Sequence, residues 1–240
     1  MRVAIFSDVH GNLPALQAFV DHTAGEVDAF VCLGDIVNYG PWNDECLELV
    51  FSLPNVAVVE GNHERLFLGV EDINHEIQLV QNFYRHSIAS FSRRELITGL
   101  PSKHEIGGFT CTHTIDNKRI YRDTSIEIDR NYVIGHTHHA FDITCSGHRI
   151  VNCGSVGQNR KDISRSSYAL IDLEQGSISL KEFPYDVGKL IAEMERQGYG
   201  RDCLDYYKSK LPKGSVSAAF NKHAGVKASV AQGAASVHGA

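Results

Sequence analysis

The stretch Ile134–His139 reads IGHTHH and follows a run of β-branched and aromatic residues that predicts a buried strand over Tyr132–Ile134. Because side chains two positions apart in a strand point to the same face, we expect Ile134, His136 and His138 to share one direction. Two imidazoles that leave one strand end together can offer two neutral nitrogen ligands to a metal ion. Two surface histidines in a polar loop would explain this stretch slightly better on its own, so the metal site depends on what the rest of the chain supplies.

Four other predicted strands end in residues of the same kind. The apolar runs Arg2–Phe6, Asp28–Leu33 and Asn55–Val59 each lead into a turn that contains Asp, His or Asn. Strands that alternate with helices predict a parallel sheet, and sites in such sheets form at the carboxyl ends of the strands. A fourth strand, which follows the turn Gly107-Gly108, carries His113 at its inward-facing end. The candidate metal ligands collected in this way are Asp8, His10, Asp35, Asn62, His113, His136 and His138.

This set of four imidazoles, two carboxylates and one amide suits Mn, Fe, Zn or Co better than Ca or thiolate-bound Zn. Asp35 is the expected bridge between two divalent ions. Two ions held roughly 3.5–4 Å apart would clamp the attacking and leaving oxygens of a phosphoryl group, and a water between them would attack near neutral pH. His63 directly follows a ligand and is the predicted catalytic residue, which would protonate the leaving oxygen. Its alternative role is to support the ligands without transferring a proton.

The chain divides into one predicted folded domain, residues 1–212, and a low-complexity segment, residues 213–240. The latter is dominated by Ala, Gly, Ser and Val and is expected to be a flexible tail. Within the domain, residues 65–100 lack strand patterning and predict helices over roughly Asn74–Ser90 and Arg93–Gly99. We expect this segment to be a lid over the cleft, or with equal weight a helical layer packed on the sheet.

Composition limits the class of partner. The formal net charge of −6 argues against a protein that binds long nucleic acids. The sequence shows neither a basic leader nor a long apolar run, so we expect neither export nor a membrane span. A small phosphorylated substrate therefore fits better. The six cysteines lack a CxxC pair, which indicates reduced thiols and a cytoplasmic protein; they are Cys32, Cys46, Cys111, Cys145, Cys153 and Cys203.

The ordered motifs resemble those of the calcineurin-like metallophosphoesterases, and the resemblance extends from about Arg2 to Phe183. It is carried by Asp8-Val9-His10, Gly34-Asp35, Gly61-Asn62-His63-Glu64, His113 and Gly135-His136-Thr137-His138. Three further stretches look like the small bacterial phosphodiesterase branch: Ser7–Leu16, Gly34–Pro41 and Gly154–Arg160.

The resemblance implies an α/β fold, a four-layer α-β-β-α sandwich of two mixed β-sheets flanked by helices. It also implies two divalent transition-metal ions. The first would be held by Asp8, His10, Asp35 and His138. The second would be held by Asp35, Asn62, His113 and His136. His63 matches the catalytic histidine of the family.

Two departures from the family pattern bear on the substrate. The protein serine/threonine phosphatases have an Asp and then an Arg after the bridging carboxylate, whereas Asn38 and Tyr39 stand here. Tyr39 removes a bidentate phosphate ligand, which argues against protein phosphatase activity. Arg65 or Arg160 could supply the missing charge, and Asn38 and Arg160 are the predicted substrate contacts.

The predicted activity is that of a dinuclear metal-dependent phosphodiesterase that hydrolyses a small phosphodiester or nucleotide by direct attack of water. The enzymatic alternatives are a phosphomonoesterase and a dinucleoside polyphosphate hydrolase. A metal-binding scaffold of the same fold is the non-enzymatic alternative, which the complete ligand set disfavours. The acidic folded part also disfavours a nuclease.

Overall fold

Two mixed sheets of five strands each form the centre of the computed structural model, which describes residues 1–212. The predicted tail, residues 213–240, lies outside the described residues. The strands, numbered along the chain, are β1 Arg2–Phe6, β2 Ala29–Cys32, β3 Val56–Val58, β4 Lys103–Ile106, β5 Phe109–Thr112, β6 Asn131–Ile134, β7 Phe141–Cys145, β8 His148–Asn152, β9 Arg165–Asp172 and β10 Ser177–Pro184. The helices of this part are α1 Leu13–Thr23, α2 Asn43–Ser52, α3 Asn62–Leu68, α4 Gln78–Ala89, α5 Arg94–Ile97, α6 Val187–Arg196 and α7 Arg201–Ser209.

Each sheet combines three parallel strands with two strands that pair antiparallel. In the first sheet, β1, β2 and β3 are parallel, and β9 and β10 extend it in the order β10-β9-β1-β2-β3. In the second sheet, β5, β6 and β8 are parallel, and the order is β4-β5-β6-β8-β7. Within each sheet, the carboxyl ends of the parallel strands therefore lie at the same end, and the candidate ligands follow them there. The predicted α/β class with two mixed sheets is confirmed.

The core between the sheets follows the alternation of the strands. Val3 and Ile5 of β1 pack against the second sheet, where they meet Val133 and other apolar side chains. Phe6, on the opposite face of β1, packs against Phe19 of α1 with ring centroids 4.6 Å apart. Burial of side chains of this size stabilises the fold by roughly 1.5–3 kcal/mol each. The strand ends that carry the polar residues are thus fixed by apolar contacts on both faces of the first sheet.

The outer faces of the two sheets are covered differently. Helices cover the first sheet, and α1 contacts both α2 and α6. The outer face of the second sheet packs instead against Ile115, Ile120 and Ile126, which belong to the loop between β5 and β6. Among the described residues, this loop therefore contributes to the cover of the second sheet. The side chains that these isoleucines cover belong to β6, β7 and β8.

Residues 65–100 combine packing with access to the cleft. The predicted helix over Asn74–Ser90 is divided into a 3₁₀ turn at Ile73–His75 and α4, because Ile77 adopts an extended conformation between them. Helix α3, which the sequence patterns did not predict, extends into the beginning of this segment. Phe67 and Ile97 are buried in the helical core, whereas the stretch around Glu76 lines the cleft.

Candidate metal centre

The loops after β1, β2 and β6 meet at one end of the two sheets. The backbone N–H of Asp8 donates to Gly34 O at 3.0 Å, and that of His10 donates to Asp35 O at 3.0 Å. The backbone N–H of His136 donates to the Asp8 carboxylate, also at 3.0 Å. Through these bonds, residues far apart in sequence form one continuous polar cluster.

Five of the candidate ligands have a left-handed backbone. The φ angles are 57° at Asp8, 51° at His10, 54° at Asp35, 66° at His136 and 61° at His138. This conformation is uncommon outside glycine and persists only where the surroundings enforce it. It also ends the strand alternation, so the expectation that the two histidines continue the direction of the preceding strand is wrong. Ile134 of that strand packs on the outer face of the second sheet, whereas both histidines line the cleft.

The first cluster consists of Asp8, His10 and His138, all buried. Asp8 Oδ1 lies 3.2 Å from His138 Nε2 and 3.7 Å from His10 Nε2. The two Nε2 atoms are 3.2 Å apart. Three atoms that can each donate an electron pair to a metal ion therefore surround one point.

The second cluster consists of Asp35, His113 and His136, and Asn62 adjoins it. Asp35 Oδ2 lies 3.2 Å from His113 Nε2. Asn62 Oδ1 lies 3.0 Å from His113 Nε2 and 2.9 Å from His136 Nδ1. Asp35 Oδ2 also lies 3.9 Å from the Nε2 of His10 in the first cluster. Asp35 is therefore the residue that joins the two clusters.

Hydrogen bonds to the backbone fix the protonation of three of the rings. The Nδ1 atoms of His10, His113 and His138 face the carbonyl oxygens of residues 37, 33 and 158 at 3.1, 2.8 and 2.7 Å. A carbonyl only accepts, so each Nδ1 carries a proton, and the Nε2 of a neutral ring presents a lone pair. Two such lone pairs meet in the first cluster, beside Asp8 Oδ1, which has no hydrogen-bond partner. A cation satisfies all three atoms, so the residues fit a divalent metal ion.

The charge state of the buried groups agrees with this interpretation. Burial raises the pKa of Asp8 and Asp35, but the neighbouring His138 and His113, respectively, outweigh it and hold both pKa values below their usual range. Burial lowers the pKa of His10 well below its ordinary value, which keeps this ring neutral. Burial opposes protonation of His113 too, but Asp35 outweighs it and raises the His113 pKa to about 10. The Asp35 carboxylate thus stabilises positive charge at this position.

A family model described as the calcineurin-like phosphoesterase superfamily domain matches residues 1–176. The chain belongs to the calcineurin-like phosphoesterase superfamily. With its buried His/Asp clusters, it is a metal-dependent phosphoric ester hydrolase. No helix within residues 1–212 is long and apolar enough to cross a membrane.

Comparisons with individual proteins agree with the family. An uncharacterized protein of Methanocaldococcus jannaschii is 26% identical over 224 residues, which cover 78% of this chain and 89% of the relative. The structure is similar to that of a metallophosphoesterase from Sphaerobacter thermophilus, with a TM-score of 0.72, 28% identity, and 88% and 99% of the two chains covered. A hypothetical protein from Pyrococcus horikoshii has the same fold, with a TM-score of 0.71, 17% identity, and 86% and 97% covered.

In this phosphoesterase, Asn38 reaches His63 rather than the cleft. Asn38 is fully buried, and its Oδ1 accepts the backbone N–H of Tyr39 at 2.7 Å. This orientation directs Nδ2 to His63 Nδ1 at 2.9 Å. Because an amide NH₂ only donates, Nδ1 is the acceptor, and the proton of a neutral His63 is on Nε2. The predicted substrate contact of Asn38 is thus replaced by a contact that fixes the tautomer of His63.

Glu64 has a role that the sequence patterns did not reveal. It is fully buried, and its carboxylate accepts four backbone N–H groups, from Gly61, Asp35, Ile36 and Val37, at 2.7–3.3 Å. These bonds join the loop after β2 to the loop after β3. Burial and the nearby Asp35 carboxylate raise the pKa of Glu64 to about 7. The sequence signal that could have identified Glu64 is its position directly after Asn62 and His63.

The clusters open into a cleft of about 760 Å³. His63 lines it, with Nε2 3.9 Å from Asp35 Oδ2. Arg160 also lines the cleft, as expected for a substrate contact, and that role stays a prediction. Arg65 is neutralised by Glu60 at 3.2 Å and Glu71 at 2.6 Å, so it is not a free positive charge for substrate.

Proposed function

We propose that this metallophosphoesterase is a phosphodiesterase that uses two divalent transition-metal ions, such as Mn, Fe, Zn or Co, to hydrolyse a small phosphodiester. The observation that carries the proposal is the pair of ligand clusters connected through Asp35. The first ion would be held by Asp8, His10, Asp35 and His138. The second would be held by Asp35, Asn62, His113 and His136. When bound, the ions would neutralise phosphate oxygens and lower the pKa of a water nucleophile.

His63 would supply the proton to the leaving oxygen. Its Nδ1 is occupied by Asn38, so the transferable proton is on Nε2, the atom nearer to Asp35. Contacts with Tyr39 and His10, at centroid distances of 5.2 and 5.0 Å, hold the ring at the edge of the cleft. A fixed donor of this kind increases the rate most when the departing oxygen is a strong base. The proposed catalytic role of His63 rests on this orientation.

Two positions beside the clusters lack a free arginine, which supports a diester over a monoester. Tyr39 stands where protein phosphatases have an arginine, and Arg65 is neutralised by two glutamates. A monoester carries about two negative charges at neutral pH and gains more from an arginine fork than a diester, which carries one. A small substrate fits a cleft of about 760 Å³. A cytoplasmic location is part of the proposal and is supported by six free cysteines.

The test compares hydrolysis of bis-p-nitrophenyl phosphate and p-nitrophenyl phosphate by metal-stripped protein, with and without added Mn²⁺. We expect the diester to be hydrolysed faster, and only with metal. Faster hydrolysis of the monoester would indicate a phosphomonoesterase. Hydrolysis of neither compound by protein that binds two ions would contradict the proposal and favour a scaffold. Asp35→Asn should abolish turnover, and Asp116→Asn, an exposed aspartate, is its control.

A further inference from the structure

Three cations line the cleft without a carboxylate partner. Arg119 belongs to the loop between β5 and β6, Arg160 to the loop between β8 and β9, and Lys210 follows α7. Within residues 1–212, no ion pair joins any of the three to an acidic side chain. Arg65, which belongs to α3 and lines the same cleft, has two carboxylate partners. The three unpaired cations are therefore available to an anionic ligand.

Arg160 is held at a fixed position relative to the metal centre. Ser155 Oγ donates to Asp8 O at 2.8 Å. This bond attaches the loop that carries Arg160 to the end of β1. His138 Nδ1 donates to Gln158 O at 2.7 Å, two residues before Arg160. Arg160 Nε is buried and has no hydrogen-bond partner. A buried donor without a partner is unfavourable, and an acceptor on a bound ligand would remove this penalty.

Lys210 lies on the same side of the cleft. The backbone N–H of Ile163 donates to Lys210 O at 3.0 Å, which joins the end of α7 to the loop that carries Arg160. Lys210 Nζ lies 5.8 Å from the ring centroid of Tyr206, and Arg160 contacts the hydroxyl of the same tyrosine. The two cations therefore border one aromatic ring that lines the cleft.

We propose that Arg160 and Lys210 form a cationic subsite for a second phosphate group of the substrate, beside the diester that is hydrolysed, and that Arg119 adds positive charge to the same cleft. This inference rests on the proposed function, because it assigns the reacting phosphate to the ions. Two divalent ions, with Asp8 and Asp35, already outweigh the single charge of a diester. Three more cations exceed that requirement, and arginine can bind two phosphate oxygens at once. The substrate class is then a phosphodiester that carries a further phosphate, as in a phosphorylated nucleotide ester.

The test uses two esters with the same leaving group and the metal-loaded, full-length enzyme. They are thymidine 5′-(p-nitrophenyl phosphate) with a free 3′-hydroxyl and the same compound with a 3′-phosphate. We expect kcat/KM to be roughly tenfold higher for the phosphorylated ester, the scale of one charge-assisted hydrogen bond. In Arg160→Gln and in Lys210→Gln, the ratio of the two kcat/KM values should fall towards one. Raising the NaCl concentration should also reduce it.

Lys161→Gln is the matched control, because it removes the same charge next to Arg160 from an exposed residue outside the cleft lining. Its ratio should equal that of the unmodified enzyme. Since the ratio is measured within each variant, a partial loss of folded protein cancels. Equal kcat/KM for both esters, or an equal effect of Lys161→Gln and Arg160→Gln, would overturn the subsite while the phosphodiesterase stands. Hydrolysis of neither ester nor of bis-p-nitrophenyl phosphate would overturn the proposed function itself.

Discussion

The candidate ligands owe their arrangement to strained single residues. Asp8, His10, Asp35, His136 and His138 all have positive φ angles, each of which costs on the order of 1 kcal/mol or more for a residue with a Cβ. Hydrogen bonds between the loops oppose this cost and keep the side chains directed at one another. The chain therefore presents a prearranged donor set, and binding of ions does not require large movements of the backbone.

At His63, we expect replacement by alanine to reduce kcat more for diesters with poor leaving groups than for those with good ones. The reason is that an alkoxide needs a proton on departure, and p-nitrophenolate does not. The measurement is kcat for a series of aryl and alkyl diesters at saturating metal. We expect a loss of about 10²–10⁴-fold for the alkyl esters. His75→Ala changes an exposed histidine and should leave the series unchanged. An equal loss across the series for His63→Ala would contradict proton donation.

At the scale of elements, the site depends on how consecutive loops are held together. Helix α3 begins at Asn62, after a short loop that follows β3, and its first turn contains Glu64. The carboxylate accepts N–H groups from both loops that flank the second cluster. A Cβ at Gly61 would collide with Asp35, so only glycine allows the loops to approach so closely.

We expect Glu64→Gln to lower the free energy of unfolding of the metal-free protein by about 2–4 kcal/mol. The amide NH₂ of glutamine would face backbone N–H groups, so that donors oppose donors in a buried place. Affinity for Mn²⁺ should fall roughly 10–100-fold because Asp35 loses its support. Urea unfolding and calorimetric titration measure the two effects. Glu60→Gln changes a partly exposed glutamate paired with Arg65, and its cost should stay below about 1 kcal/mol. Equal effects of the two variants would show that Glu64 does not brace the loops.

The whole molecule places the metal centre across the two sheets. The loops of the first sheet contribute Asp8, His10, Asp35 and Asn62, and those of the second contribute the remaining candidate ligands. Apolar contacts and hydrogen bonds between the loops also join the sheets. Bound ions would therefore connect both halves of the fold, and their binding free energy would add to its stability.

Removal of metal should accordingly lower the melting temperature. At a free Mn²⁺ concentration 100 times Kd, the added stability is about 2.7 kcal/mol, which corresponds to roughly 5–10 °C for a domain of this size. Differential scanning calorimetry with Mn²⁺ and after treatment with a chelator measures this shift. In Asp35→Asn the shift should be absent, whereas Asp116→Asn should retain it. A melting temperature that does not respond to metal would contradict a site that spans the sheets.

The buried hydroxyl and thiol groups should limit stability at alkaline pH. Burial raises the pKa of Tyr207 and Tyr185, and likewise that of Cys46 and Cys153, above the values of an unfolded chain. The neutral forms favour the folded state, so their contribution is complete below about pH 8.5 and is lost as the pH rises. Each group that ionises only on unfolding should make the free energy of unfolding fall by about a further 1.4 kcal/mol per pH unit. Urea unfolding between pH 8 and 11 measures it, and Tyr207→Phe should reduce the slope above pH 10. A constant free energy of unfolding would contradict this prediction.

Local patterns determined most of the fold and the composition of the candidate site. Short apolar runs locate strands such as β1, and an Asp, His or Asn after several of these strands marks the carboxyl edge where ligands meet. These features depend on neighbours in sequence and on the geometry common to all parallel sheets. The cover of the second sheet could not be predicted, because Ile115, Ile120 and Ile126 have no periodic pattern.

Only the tertiary structure decided which atoms face one another. Asn38 meets His63 across 25 positions of sequence, and Glu64 meets Asp35 across 29. The availability of Arg160 and the neutralisation of Arg65 likewise depend on which acids are nearby. A hydrogen bond or an ion pair requires a distance and an angle that side-chain type alone does not set. Packing of whole elements fixes these quantities, and for that reason the sequence determined the donor set while the folded chain decided the tautomers, the charges and the access to the cleft.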